Sequence, residues 1–191
     1  MSKLGVDALT RLRSTFGSKV SSQVVQDVLC ELLENASCEI KSYTDAVYLN
    51  YFENGISILL APDTGYRPGT LDTSVDYDRL TVQSVDLYNA TTENSSNKQR
   101  YSPFSHLPLA IPKVDGASFL VSASSTGKDF VDAFGEPPRK GGGDGPSSGS
   151  IGIWLEWPNV GIMVEFEARG PQAWEKGKDM RWKVITLFTP N

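Results

Sequence analysis

Tyr48-Leu-Asn-Tyr-Phe-Glu-Asn-Gly55-Ile-Ser-Ile-Leu-Leu60 returns later in the chain as Trp154-Leu-Glu-Trp-Pro-Asn-Val-Gly161-Ile-Met-Val-Glu-Phe166. With Gly55 laid on Gly161, Tyr48 meets Trp154, Leu49 meets Leu155 and Tyr51 meets Trp157, while Ile56, Ile58 and Leu60 meet Ile162, Val164 and Phe166. Apolar residues alternating on both sides of a turn glycine read as a β-hairpin, because side chains alternate faces along a strand and Asn-Gly tolerates positive φ. The match predicts an α+β chain of two pseudo-repeated halves, each a helix packed on an antiparallel sheet. What repeats is core and turn, so the pattern speaks to architecture rather than to chemistry.

Working outward, Val6, Leu9, Leu12 and Phe16 predict a short amphipathic helix over residues 6–16. Val25, Val28, Leu29, Leu32 and Leu33 predict a second over residues 23–34, with Ser21 or Ser22 as its cap. Strands are expected at 46–52, 56–60 and 80–88, with a long loop over 61–79, which is rich in Pro, Gly, Asp and Thr. The polar stretch 89–103 is the expected linker between a first half, 1–88, and a second, 104–191. The two form one cooperative domain, since a half of this size buries little apolar surface alone. Pro103, Pro108 and Pro112 confine 104–111 to an edge strand or extended arm. Thr126-Gly-Lys-Asp129 is a capping signal for a short helix bearing Phe130, Val131 and Phe134 and stopping at Gly135. Strands at 151–157, 162–167 and 182–188 complete the second half, with a charged loop before the last.

Composition narrows the role. Of the 191 residues, 39% are hydrophobic, which suits a globular core, and no apolar run approaches the ~20 residues that span a bilayer. The N-terminus lacks the apolar stretch of a signal peptide, so the expected location is soluble, intracellular and cytoplasmic. A net charge of −5 excludes a general nucleic-acid binder, which needs excess Lys and Arg to replace phosphate counterions. Cys30 and Cys38 are expected to be reduced and structural, and with the single His106 they do not make a zinc site. No cofactor is expected. The sequons at Asn35, Asn89 and Asn94 read as turn chemistry.

Several constellations invite a chemical reading. Gly145-Pro-Ser147-Ser-Gly149 matches a serine-hydrolase elbow, and His106 with one of several Asp residues completes a triad on paper. An elbow sits between a strand and a helix, whereas here a glycine coil precedes and a strand follows, so a flexible loop is the better reading. Ser124-Ser-Thr-Gly-Lys128 lacks the first glycine of a phosphate loop and reads as the helix cap. Arg139-Lys140-Gly141-Gly142-Gly143 sets glycine amides beside two cations, an anion-nest pattern at the start of an expected exposed, mobile loop over 139–150. Trp174-Glu-Lys176-Gly-Lys178-Asp-Met-Arg181-Trp182 places two tryptophans among cations, as a peripheral membrane or phosphoinositide surface does. A salt-laced loop covering the sheet edge explains it more simply. Glu156, Glu165 and Glu167 are expected to face solvent, opposite Leu155, Val164 and Phe166.

The run Thr126-Gly-Lys-Asp-Phe-Val-Asp-Ala-Phe-Gly-Glu-Pro137 before an antiparallel sheet resembles the helix-then-Gly-x-Pro signature of the SmpA/OmlA lipoproteins and of the beta-lactamase inhibitory proteins. The first half, Tyr48 to Leu60 and then Leu80 to Tyr88, looks like the strand pair of the phagophore-associated autophagy factor family. Gly135-Glu-Pro137, Arg139-Lys-Gly-Gly-Gly143 and Trp182-Lys-Val-Ile-Thr-Leu-Phe188 are similar to an uncharacterised family of fungal proteins. These resemblances imply repeated architecture and binding rather than catalysis. The resulting expectation is a non-catalytic protein-interaction or scaffold module with a protein partner. A module for phosphoinositide or another anionic ligand comes second, and a serine hydrolase third.

Overall fold

Helical spacing of apolar residues organises the start of the chain in the computed structural model, which describes residues 3–34, 36–69, 75–89, 101–142, 152–166 and 172–191. Helix α1 (Lys3–Ser14) buries Ala8, Leu9 and Leu12, and α2 (Gln23–Leu33) buries Val25, Val28, Leu32 and Leu33. Ser22 does occupy the N-cap of α2, but it makes no capping bond, because its hydroxyl donates instead to the Lys19 carbonyl at 2.6 Å. Helix α3 (Gly127–Phe134) has the expected capping box, with the Thr126 amide donating to the Asp129 carboxylate at 2.7 Å. Gly135 closes it by donating to the Val131 carbonyl at 2.8 Å.

The alternating segments form one eight-stranded antiparallel sheet. Its members are β1 (Glu39–Ser42), β2 (Val47–Tyr51), β3 (Ile56–Pro62), β4 (Leu80–Tyr88), β7 (Arg139–Gly141), β8 (Trp154–Trp157), β9 (Ile162–Phe166) and β10 (Trp182–Phe188). Their spatial order is β1-β2-β3-β4-β10-β9-β8-β7, so each half contributes four adjacent strands and the halves fuse along the β4–β10 pair. A separate hairpin, β5 (Leu109–Pro112) with β6 (Ser118–Val121), lies outside this sheet.

Register makes the fold readable in rows. On the inner face Leu49, Ile58, Val85, Leu187, Ile162 and Trp157 stand side by side, and the next row runs Tyr51, Ile56, Leu87, Ile185, Val164 and Leu155. All are buried, and they belong to one cluster with the apolar faces of α1, α2 and α3 and with Leu109, Ile111 and Val121 of the small hairpin. Phe130 fixes α3 to the sheet, its ring 6.2 Å from Phe166 edge-on and 6.4 Å from Trp157. Trp157 and Trp182 are both buried with their indole N–H groups satisfied, by the Gly135 carbonyl at 3.0 Å and the Ser122 carbonyl at 2.8 Å. Arg13 of α1 donates to the Val160 carbonyl in the β8–β9 turn, tying the first helix to the second half.

The two turn glycines behave alike. Gly55 and Gly161 have φ of 67° and 69°, a region that strains any side chain. Each carbonyl accepts a backbone bond from an incoming strand: Tyr88 donates to Gly55 at 2.9 Å and Phe188 to Gly161 at 3.0 Å.

Several expectations need correction. Strand β1 falls in a segment with no strand expected, as does β6, and Arg139–Gly141 is a strand where a mobile loop was expected. Both β1 and β7 are sheet edges, where charged residues guard exposed backbone, so the apolar alternation that identifies an inner strand is missing. The 61–79 segment is not all loop: β3 extends to Pro62, and a 3-10 turn, Tyr77–Arg79, leads into β4. The charged loop before the last strand contains a short helix, α4 (Ala173–Gly177), and Trp182 is buried in β10 instead of covering an edge. The described ends of the linker are anchored: buried Asn89 donates to the carbonyls of Ala123 (2.9 Å) and Trp182 (3.0 Å), and Tyr101 stacks on Tyr88 at 3.6 Å. Cys30 and Cys38 are exposed and are not joined in a disulfide. Among the described residues no helix is long and apolar enough to cross a membrane.

Candidate functional site

Where α3 crosses the outer strands of the second half, it leaves a pocket of about 260 Å³. Its apolar lining comes from Val131 on α3, Ile153 and Leu155 at β8, Phe166 on β9 and Trp174 on α4. Around these stand Lys128, Lys140 and Lys178, with Glu136 and Pro137. The wall between α3 and α4 depends on Gly127, where a Cβ would sit 3.2 Å from the Gly177 carbonyl carbon and closer still to its oxygen. Only bare backbone fits there.

The lysines differ in what already holds them. Lys140 bonds Glu136 at 2.6 Å and Lys128 meets Asp132 at 3.7 Å one turn along α3, and both pairs are exposed. Lys178 meets no carboxylate among the described residues. The amides at the start of α3 are occupied, since Gly127 donates to the Met180 carbonyl (3.1 Å) and Lys128 to the Lys178 carbonyl (2.8 Å). Any anion here is therefore held by side-chain ammonium groups and not by a helix end.

Of the residues singled out from sequence, Lys140, Trp174 and Lys178 come together at this pocket. Trp174 keeps 42% of its surface exposed, which is unusual for so large an apolar group. Arg139 is directed elsewhere: opposite Glu156 in the β7–β8 register, it bonds that carboxylate at 2.7 Å. This also corrects the expectation for Glu156, which is only 9% exposed. Glu165 likewise pairs with Lys183 at 2.9 Å, and Glu167 lies outside the described residues. Gly141 pairs with Trp154 in the ladder, so the glycine run does not begin as an anion nest. Gly142 has φ of 79°, and Gly143 lies outside the described residues. Lys176 is exposed on α4 and Arg181 bridges to Thr126; neither lines the pocket.

Lys128 escaped sequence reading. It is the second residue of α3, three before Val131, and that i,i+3 spacing places the two on one helix face. Spacing does not say that this face meets β8.

The outer face of the sheet carries a second polar feature. Asn50, Ser57, Asp86, Thr186, Met163, Glu156 and Arg139 form one row across it. Tyr101 and Ser57 hydroxyls both donate to Asn50 Oδ1, at 2.5 and 2.9 Å, and Thr186 donates to Asp86 at 2.7 Å. Burial holds the Asp86 carboxyl above its ordinary value, with Glu165 acting the same way and the Thr186 hydroxyl opposing. Burial likewise pushes the Tyr51 and Tyr88 hydroxyls well above the usual phenol range, so both stay protonated donors.

The hydrolase constellation is not assembled by the described residues. His106 Nε2 lies 3.0 Å from the Leu32 carbonyl at the end of α2, and Ser147 lies outside the described residues. Among the described residues no group of three or more His, Cys, Asp or Glu side chains is placed to hold a metal ion. In comparisons with protein-family models, curated proteins and solved structures, the chain matches none.

Proposed function

We propose that this protein is a non-catalytic interaction module that seats part of a partner protein in the pocket beneath α3. The supporting observation is the pocket itself, in which an apolar lining and a lysine rim are supplied by five separate elements of the second half. Such a combination suits recognition: an apolar anchor supplies affinity, and a few charged groups fix orientation and select the ligand. Anionic small ligands, phosphoinositides among them, form the second reading, favoured by the same three lysines. The cytoplasmic location belongs to this proposal and is supported by two exposed cysteines that are not joined in a disulfide, as is usual in reducing compartments. So does the idea that the halves are copies, supported by their matching strand order and turn glycines.

The test is a comparison of captures. Val131→Trp fills the pocket, whereas Val24→Glu alters an exposed site on α2. A partner retained by the parent chain and Val24→Glu but lost by a folded Val131→Trp supports the proposal. Equal retention by all three chains refutes it.

A further inference from the structure

The charge around this pocket specifies its ligand more narrowly than the presence of three lysines suggests. Lys140 and Lys128 are each matched by a carboxylate, Glu136 and Asp132, and Lys178 has none among the described residues. Three ammonium groups against two carboxylates leave one positive charge. A polyanionic headgroup would compete with both existing pairs for the same lysines, whereas a single carboxylate meets Lys178 and disturbs neither.

Size adds a second restriction. At about 260 Å³ the pocket suits one large side chain or a short acyl chain. Ligands of drug size occupy clefts of ~300–1,000 Å³. Resting on the pocket reading above, we infer that the ligand is an amphipathic monoanion: one carboxylate beside one compact apolar group, the carboxylate on Lys178 and the apolar group against Leu155, Phe166 and Trp174. Two sources supply that chemistry. One is the free carboxyl terminus of a partner chain ending in an apolar residue, and the other is a small monocarboxylic acid.

Calorimetric titration of the full chain decides the matter, with octanoate, octanamide, the peptide Gly-Ser-Gly-Ser-Phe with a free carboxyl terminus, the same peptide amidated, and inositol trisphosphate. At least one acid is expected to bind roughly tenfold tighter than its amide, as a charge-assisted contact gives. Which acid does so identifies the source. Lys178→Gln is expected to abolish the acid-over-amide preference without weakening the amide, and Trp174→Ala, a change at an exposed position, to weaken acid and amide alike. Acid and amide binding equally, both weakened by Trp174→Ala, overturns the monoanion while leaving the pocket in place. Inositol trisphosphate binding more tightly than either acid, and depending on Lys178, replaces the monoanion with a polyanion. Binding by none of the probes overturns the inference and the pocket reading together.

Discussion

Replacing Gly161 with alanine probes the fold at one of its two crowded hairpin turns. The residue has φ of 69°, which costs an L side chain ~1–2 kcal/mol by itself. A Cβ built there would also lie 3.0 Å from Cγ and Cδ of Pro190 and well inside that distance from the Phe188 carbonyl oxygen. Backbone cannot swing aside as a flexible side chain can, so the strand end must shift, an overpacking penalty of ~1–3 kcal/mol. The expected total is ~2–5 kcal/mol. Gly17 supplies the control, because its φ of 72° is nearly the same but nothing lies within 4 Å of a Cβ there. Gly17→Ala should therefore show the backbone term alone, ~1–2 kcal/mol. Urea melts of the two variants, with unchanged slopes, isolate the steric difference as a shift in midpoint. Gly55→Ala should resemble Gly161→Ala, since its Cβ would stand 2.7 Å from the Phe104 amide nitrogen and nearer still to the Ser102 carbonyl. If Gly161→Ala costs no more than Gly17→Ala, the segment after β10 does not press on the hairpin, and the packing argument fails.

Truncating Trp157 or Trp182 to alanine should cost ~3–5 kcal/mol each, as loss of a buried indole does, read from denaturant midpoints; unmoved midpoints would place the rings at the surface. Asp86 gives a prediction in pH. Its folded value is raised, so the folded state binds the proton more tightly, and this group lowers stability as pH rises from its ordinary 3.8 through the raised folded value. Asp86→Asn should accordingly gain on the parent chain over that window and stay ahead at neutral pH. Parallel stability curves for the two chains would show that the carboxyl is not held out of water.

The inner strands were legible in sequence because Leu49, Tyr51, Ile56 and Ile58 face a single core, and one buried face imposes strict alternation. Arg139 and Lys140 were misread for the converse reason. An edge strand of Arg-Lys-Gly has no apolar face to advertise, and pairing opposite Glu156 and Leu155 is fixed by partners far away in the chain. The pocket was half legible. Trp174 and Lys178 stood out by composition, whereas Lys128 looked like part of a cap. Its place at the rim depends on Phe130 docking against Trp157 and Phe166, which turns α3 through an angle no local pattern records. Asp86 was passed over because in sequence it is one carboxylate in an alternating strand, and the Thr186 hydroxyl that meets it is 100 residues away.

That separation bears on how the chain reaches its native state. Strand β4 has its permanent neighbour on one side in β3 at once, but its other edge waits for β10, the last of the described strands in chain order. During synthesis at ~5–20 residues per second that edge stands open for several seconds or more, with Val85 and Leu87 on its core-facing side. Pairings this distant in sequence also fold slowly, since loop closure precedes any reward. The seam that makes one continuous sheet of two halves is thus the nascent chain's most vulnerable surface. Before β10 arrives, a second unfinished chain can offer β4 the same hydrogen bonds.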